Sequence, residues 1–491
     1  MEQNRARGIV RGRRTWFAVM SFFLFAAALP ARQAAGAEPS VPMRLSVPVL
    51  MVSDVHFDPF MDPSKVEELA QGDISQWSRI LDGSKVSNGS RVDTSYQLLK
   101  ASLDAIRANA AGVRFVTVSG DLLAHDFNTK FYTTCPDSKK CGTLEIFAEK
   151  TIDFVLQQLR GALPGVPVYA ALGNNDSSCQ DYELNRGSDF LEKVGETITA
   201  DVPAGERPKA ESDFTDEGYY SVTLPAPIKD TKLLVLDDIF MSPGYYTCGQ
   251  KRDSAAAAAQ IKWLEQRLDE ARAAGNAKVW VMGHIPPDVD AFTTNRNHLN
   301  VCAGDKPSMF LWSADLPDAM AQYTDVIRLA IFAHTHMDEL RLLPAAKASK
   351  SDEPIPVKMV ASISPFNGNI PSITIASVDP ATAVLKDYRV IEAPNRTGVG
   401  GKWSEEYDFA KTYQPELLPT PAEFSPSALE KLIGEFQADP TAQNPPSSIY
   451  VDDYSTGRHS RSLAAFWPLY VCSLENYTAD GFDKCACSGS R

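Results

Sequence analysis

After Leu29 the sequence has no apolar run near the roughly 20 residues a spanning helix needs, so the body of the chain is not expected to cross a bilayer. It also lacks internal repeats and long low-complexity tracts, which excludes solenoid and disordered architectures. Positive charge is in short supply: 48 Lys and Arg face 62 Asp and Glu. Such a surface repels nucleic-acid phosphates, so no nucleic-acid polymer is expected as a partner. Any anionic substrate must then be held by a local device such as metal ions. The pair Cys485-Ala-Cys487 has no His at ligand spacing, so a zinc knuckle is not supported. Histidine is scarce too, seven in 491 residues, which makes its placement informative.

What is present is enough apolar material, 44% of the chain, for one large catalytic domain and a smaller one. At the N-terminus Arg5, Arg7, Arg11, Arg13 and Arg14 precede an apolar stretch from Trp16 to Leu29, followed by Ala35-Gly36-Ala37. This pattern predicts a signal peptide over residues 1–37 and an exported protein, periplasmic or extracellular. An uncleaved anchor is the alternative, and the stretch is short for one. Cleavage would remove six Arg and one Glu and take the net charge from -14 to -19. The eight Cys, an even count in an exported chain, predict disulfides. Cys135 can reach Cys141 locally, and Cys472 is expected to meet Cys485 or Cys487. The spacing leaves the full connectivity open.

Residues 38–392 are expected to form the catalytic domain, and from Val47 to about Glu392 short apolar runs alternate with helical periodicity, the pattern of an α/β domain. Strands are predicted at Val47–Ser53, Phe115–Ser119, Val166–Leu172, Lys232–Leu236, Lys278–Met282 and Arg328–Ala333. Helices are predicted over Tyr96–Asn109, Glu145–Leu163 and Ser254–Ala274. Three later β-branched runs, Val357–Ser362, Ser372–Val378 and Val384–Val390, are expected to form a second sheet completing a sandwich. A Gly- and Pro-rich break near Pro394 then opens a helical, Cys-containing subdomain over 393–491.

Five of the predicted strands run into polar clusters: Asp54-Val-His56, Gly120-Asp121, Gly173-Asn174-Asn175-Asp176, Gly283-His284 and His334-Thr335-His336. Each alone is more often a turn or a packed histidine. Ligands gather at the carboxyl ends of strands in open α/β sheets, so five in order can converge on one site. Asp, Asn and His supply a mixed oxygen and nitrogen donor set suited to Zn, Mn or Fe. Five of the seven His lie in or beside these clusters, whereas His298 and His459 stand apart as structural or surface residues. The pair Asp237-Asp238 follows a strand and could support the site, a carboxylate pair in a surface turn being the more common case.

This order of motifs resembles the calcineurin-like metallophosphoesterases. Gly120-Asp121-Leu-Leu-Ala-His125-Asp126 and Phe366-Asn-Gly368-Asn369-Ile-Pro371 are similar to the acid sphingomyelinase-like phosphodiesterase branch. The resemblance implies a four-layer α/β/β/α sandwich with a small helical C-terminal subdomain. It implies that Asp54, His56 and His336 hold one divalent metal, that Asn174, His284 and His334 hold a second, and that Asp121 bridges them, zinc being the expected ion. A metal-bridging hydroxide would then hydrolyse a phosphodiester. The implied substrates are a small phosphodiester, a phospholipid headgroup or polyphosphate, and the protein is expected to be a monomer. His125 is the implied proton donor to the leaving group, the bland alternative being a loop histidine bonded to Asp126. The chain departs from the usual GNHD or GNHE at Asn175, whose amide can hydrogen-bond phosphate but cannot act as an acid. That departure resembles endopolyphosphatase-like members and keeps two alternatives open: a phosphoanhydride hydrolase, and a phosphate-ligand binding protein with impaired turnover.

Overall fold

The computed structural model describes residues 46–84, 86, 89–347, 349–417 and 423–488, and the leader expected over 1–37 lies outside them. Residues from Leu45 onward form one unit. The strands are β1 (Val47–Val52), β2 (Val116–Ser119), β3 (Val168–Ala171), β4 (Tyr220–Thr223), β5 (Thr231–Val235), β6 (Lys278–Met282), β7 (Ile327–Phe332), β8 (Glu339–Leu343), β9 (Ile355–Met359), β10 (Ser372–Val378), β11 (Leu385–Glu392) and β12 (Ser404–Asp408). They build two six-stranded mixed sheets, β12-β11-β10-β1-β2-β3 and β4-β5-β6-β7-β9-β8. In the first, β1, β2 and β3 are parallel, with Leu50 opposite Val116 and Val116 opposite Val168. In the second, β5, β6, β7 and β9 are parallel.

Period-two alternation decides which layer each side chain enters. Leu233, Val235, Trp280, Met282, Leu329 and Ile331 join the core shared with the first sheet. Their neighbours Leu234, Val279, Val281, Ala330 and Phe332 pack instead with Trp263, Leu264 and Leu268 of the helix Ser254–Ala273. Between the sheets Trp280 packs at a tilt against Phe115, ring centroids 5.8 Å apart, and its indole N–H donates to Ala383 O at 2.8 Å. On the far face of the first sheet lie Tyr96–Asn109 and Leu144–Ala162, started by Ser95 and Thr143, whose hydroxyls accept from Leu98 N and Ile146 N. The result is the four-layer α/β/β/α sandwich that the resemblance implies.

The three late β-branched runs do not share a sheet. β9 extends the second sheet beside β7, while β10 and β11 extend the first beside β1. The loop between Met359 and Ser372, which crosses the top of the sandwich, accounts for the split. The C-terminal region carries helices Pro426–Ala438, Ser447–Asp453, Arg461–Ser473 and Ala479–Ser488, and its segment 404–408 adds β12 to the first sheet. Backbone bonds Asp338 N to Tyr454 O (3.0 Å) and Leu342 N to Leu474 O (2.8 Å) join these helices to the strand region around β8. All eight Cys pair: Cys135–Cys141, Cys179–Cys248, Cys302–Cys487 and Cys472–Cys485. Among the described residues no helix is long and apolar enough to cross a membrane.

Candidate metal centre

Each polar cluster follows a strand, and in three of the five the backbone turns through the left-handed region just beyond it. Asp54, His56, Asp121, His334 and His336 have φ of 45°, 43°, 55°, 72° and 69°. Non-glycine residues avoid this region at a cost of order 1 kcal/mol each, and such strain gathers at functional sites. The turns are laced together by Asp54 N to Gly120 O (3.1 Å), His56 N to Asp121 O (2.9 Å), Ser364 N to Asp54 O (3.0 Å) and Ala333 N to His284 O (2.9 Å). Glycine precedes Asn174 and His284 because there is no room for more. A Cβ on Gly173 would overlap Asp121, and one on Gly283 would overlap Asp238 Oδ2 and sit 2.8 Å from Phe332.

The seven expected side chains meet. His284 Nε2 lies 3.1 Å from Asp121 Oδ2, 3.1 Å from Asn174 Oδ1 and 3.3 Å from His334 Nδ1. His56 Nε2 lies 3.4 Å from Asp121 Oδ2 and 3.2 Å from His336 Nε2, and His336 Nε2 lies 3.5 Å from Asp54 Oδ1. Two tight donor groups, Asp54/His56/Asp121 and Asp121/His284/His334, therefore share Asp121. A third, His56/His125/His336, brings in His125. His56 Nδ1 and His284 Nδ1 each hydrogen-bond a backbone carbonyl, Leu123 O at 2.9 Å and Ser119 O at 2.7 Å, which turns both Nε2 atoms inward.

The donor set fits divalent cations on a structural ground. Both oxygens of Asp54 are buried without a hydrogen-bond partner, a costly state for a carboxylate unless positive charge meets it. The electrostatics agree. Burial opposes charge on His56 and His284, yet the Asp121 carboxylate holds them at about 9 and about 10. Burial keeps His334 at about 4 and His336 at about 3, as neutral imidazoles with lone pairs to give. Asp121 stays well below the usual carboxylate range: burial works against its charge, and His284 and His56 more than offset it.

Around this cluster the chain adds parts the motifs did not reveal. Asp176 accepts from Leu122 N (2.8 Å), Leu123 N (2.9 Å) and Gly173 N (2.9 Å), so the last residue of the Gly-Asn-Asn-Asp motif fixes the turns carrying Asp121 and Asn174. Asp237 and Asp238 are wholly buried, not in a surface turn, and Asp238 accepts from His284 N (2.8 Å) and Ile285 N (3.0 Å). Asn175 is turned onto Asp121, donating from its backbone N to Oδ1 (2.8 Å) and from Nδ2 to Oδ2 (2.7 Å).

His125 is half-buried and sandwiched between the rings of His56 (centroids 4.0 Å) and Phe366 (3.9 Å). Its Nδ1 lies 2.7 Å from Asp93 Oδ1, so its carboxylate partner is Asp93 and not Asp126. Lys130 Nζ bonds Asp93 Oδ2 at 2.5 Å and Asp58 Oδ2 at 2.8 Å. Burial would raise the Asp93 carboxyl, but the hydrogen bond to His125 and the charges of His56 and Lys130 hold it at about 2. Asp93 was not legible as a site residue. It stands three residues before the start of the helix Tyr96–Asn109, where Ser95 rather than Asp93 supplies the cap.

The calcineurin-like phosphoesterase profile matches residues 47–338. Over 467 residues, 88% of the chain and 89% of the relative, the sequence is 23% identical to the acid sphingomyelinase-like phosphodiesterase 3b of Homo sapiens. It is 24% identical over 297 residues to sphingomyelinase phosphodiesterase C of Dictyostelium discoideum, a match spanning 59% of this chain but only 58% of that one. It is 23% identical over 410 residues to a cyclic GMP-AMP phosphodiesterase of Mus musculus, covering 80% and 81% of the two chains. The profile match contains every clustered side chain from Asp54 to His336, and the chain belongs to the calcineurin-like phosphoesterase family.

Proposed function

We propose that the protein is an exported, metal-dependent phosphodiesterase of the sphingomyelinase-like kind, with two divalent ions, zinc expected, held by Asp54, His56 and His336 and by Asn174, His284 and His334 about a shared Asp121. The observation that carries this reading is the convergence of those seven side chains with both oxygens of Asp54 unpartnered. When bound, the pair of cations supplies Lewis-acid polarisation of the phosphoryl group and lowers the pKa of the attacking water. The remaining work falls to the chain. His125, with Nδ1 anchored on Asp93, points Nε2 toward the cluster and donates a proton to the leaving oxygen. Lys130 holds the other oxygen of Asp93 and so fixes the carboxylate that orients that imidazole. Asn175 donates two hydrogen bonds to Asp121 and so holds the bridging carboxylate in register, which supports His125 as the acid. Four disulfides support an oxidising compartment.

The test is hydrolysis of bis-p-nitrophenyl phosphate and a panel of lipid and nucleotide diesters by Zn- or Mn-loaded protein, with and without chelator. Chelator-sensitive turnover is expected, and no turnover on any diester would end the proposal. One observation favours a second reading: with an amide at position 175, phosphoanhydrides, whose leaving groups need little protonation, are the alternative substrates. Shortening of long-chain polyphosphate with all diesters intact would select it. Tight ligand binding without turnover, reversed by Asn175→His, would select a binding role.

A further inference from the structure

In a chain with a net charge of -14, one cavity of about 550 Å³ gathers Arg91, Arg396, Arg458 and Arg461. Its wall also includes Met337 and Asn367. Met337 directly follows His336, and Asn367 directly follows Phe366, the ring stacked on His125. Met337 is thus one residue, about 3.8 Å between Cα atoms, from a proposed ligand, and Asn367 is one residue from the ring that packs on the proposed acid. The cavity thus adjoins the His125 side of the site, where the phosphodiesterase reading places the leaving group. Its arginines come from three segments: Arg91 before the first long helix, Arg396 after β11, and Arg458 and Arg461 from the loop ahead of the helix Arg461–Ser473 and from its first residue.

Four guanidinium groups in one place normally mean carboxylate partners. Among the described residues none of the four has a carboxylate within ion-pair distance, and Arg396 Nε is buried without any partner. The acidic groups nearby are otherwise engaged. Asp452 pairs with His459 at 2.7 Å, and Glu406 accepts from Gly457 N. Glu392, which feels Arg458, is held above the ordinary carboxylate range by burial. The Arg91 guanidinium lies against Gly368, where a Cβ would sit 3.2 Å from Nη2, so the glycine leaves room for it.

We infer, building on the phosphodiesterase reading above, that this arginine cavity binds a second phosphate carried by the leaving group, so that the substrate is a diester or anhydride of a phosphorylated leaving group. Planar guanidinium forks suit phosphate oxygens, and four of them repel a quaternary ammonium headgroup. A choline-type leaving group is disfavoured on the same ground. Arg458 and Arg461 are exposed and belong to no part of the proposed hydrolytic machinery, so replacing them leaves the fold and the metal centre intact.

The experiment compares the wild type with Arg458→Ser/Arg461→Ser in two assays. In the first, metal-loaded full-length protein hydrolyses tripolyphosphate, with metal in excess, and bis-p-nitrophenyl phosphate. The KM for tripolyphosphate should rise at least tenfold, about 1.4 kcal/mol, with kcat and KM for bis-p-nitrophenyl phosphate within twofold. Parallel shifts on both substrates, or none on either, overturn the inference. In the second, calorimetry follows tripolyphosphate binding to the chelator-treated full chain, and the variant should bind at least tenfold more weakly. Equal binding overturns the inference even where tripolyphosphate is not cleaved. Absence of all diester turnover in the wild type defeats the diesterase reading instead, and calorimetry then still decides the cavity.

Discussion

Asp93→Asn should sort substrates by how much their leaving groups need a proton. The Asp93 side chain is 1% exposed and faces two donors at once, His125 Nδ1 at 2.7 Å and Lys130 Nζ at 2.5 Å. An amide cannot accept from both. With its oxygen toward His125, its NH2 meets the Lys130 ammonium; flipped, it offers Nδ1 a donor where the carboxylate had accepted, and the ring loses its anchor. A positioned general acid contributes on the order of 10²–10⁴ in rate. For a diester with an alkyl leaving group, kcat should therefore fall about 10²- to 10³-fold. For bis-p-nitrophenyl phosphate, whose leaving group departs as a stable anion, the fall should stay within about fivefold. Lys130 keeps its bond to Asp58 at 2.8 Å, so the folding cost is limited to about 1–3 kcal/mol. Initial rates on both substrates, with melting temperature as a control, decide it. Equal losses on the two substrates would refute the assignment of His125 as acid and of Asp93 as the residue that positions it.

Gly173→Ala forces a methyl into Asp121 and should cost about 1–3 kcal/mol while lowering bound metal per chain, as read by elemental analysis and thermal melting. Asp288 and Asp453 are each pushed up to about 7 by burial, and Glu406 to about 10. The folded state then holds protons the unfolded state releases, so this contribution is full below about pH 4 and is lost as pH rises through the folded values. Denaturant titrations should show stability falling between about pH 5 and 9, by up to about 1.4 kcal/mol per pH unit per extra proton, and Glu406→Gln should flatten that slope. Replacing Cys302 and Cys487 by Ser opens a link across 185 residues and should destabilise the protein by about 2–4 kcal/mol, visible as faster proteolysis of the C-terminal helices.

The parts of the site that sequence revealed are those in which one short segment carries both its strand and its ligand. Asp54, Asp121, His284 and His334 each sit within three residues of a strand end, so apolar run and polar cluster could be read together. Asp93 escaped because its role depends on His125, 32 residues away, across a loop whose path no local pattern encodes. Asp237 and Asp238 looked like turn residues because burial by distant segments leaves no trace in their neighbours. The strands β9, β10 and β11 were recognised as strands but placed in one sheet, since β-branched alternation reports a half-buried surface and not the partner that covers it. The arginine cavity was invisible for the same reason: Arg91, Arg396 and Arg458 are far apart along the chain and none lies in a motif.

The claim on which all else depends is that two cations share Asp121. Anomalous diffraction from crystals of Mn-loaded protein locates them directly. Two peaks are predicted, one among Asp54, His56 and His336, the other among Asn174, His284 and His334, both contacting Asp121, and Asp121→Ala should abolish at least one. A single peak, or peaks lying away from these side chains, would contradict the account.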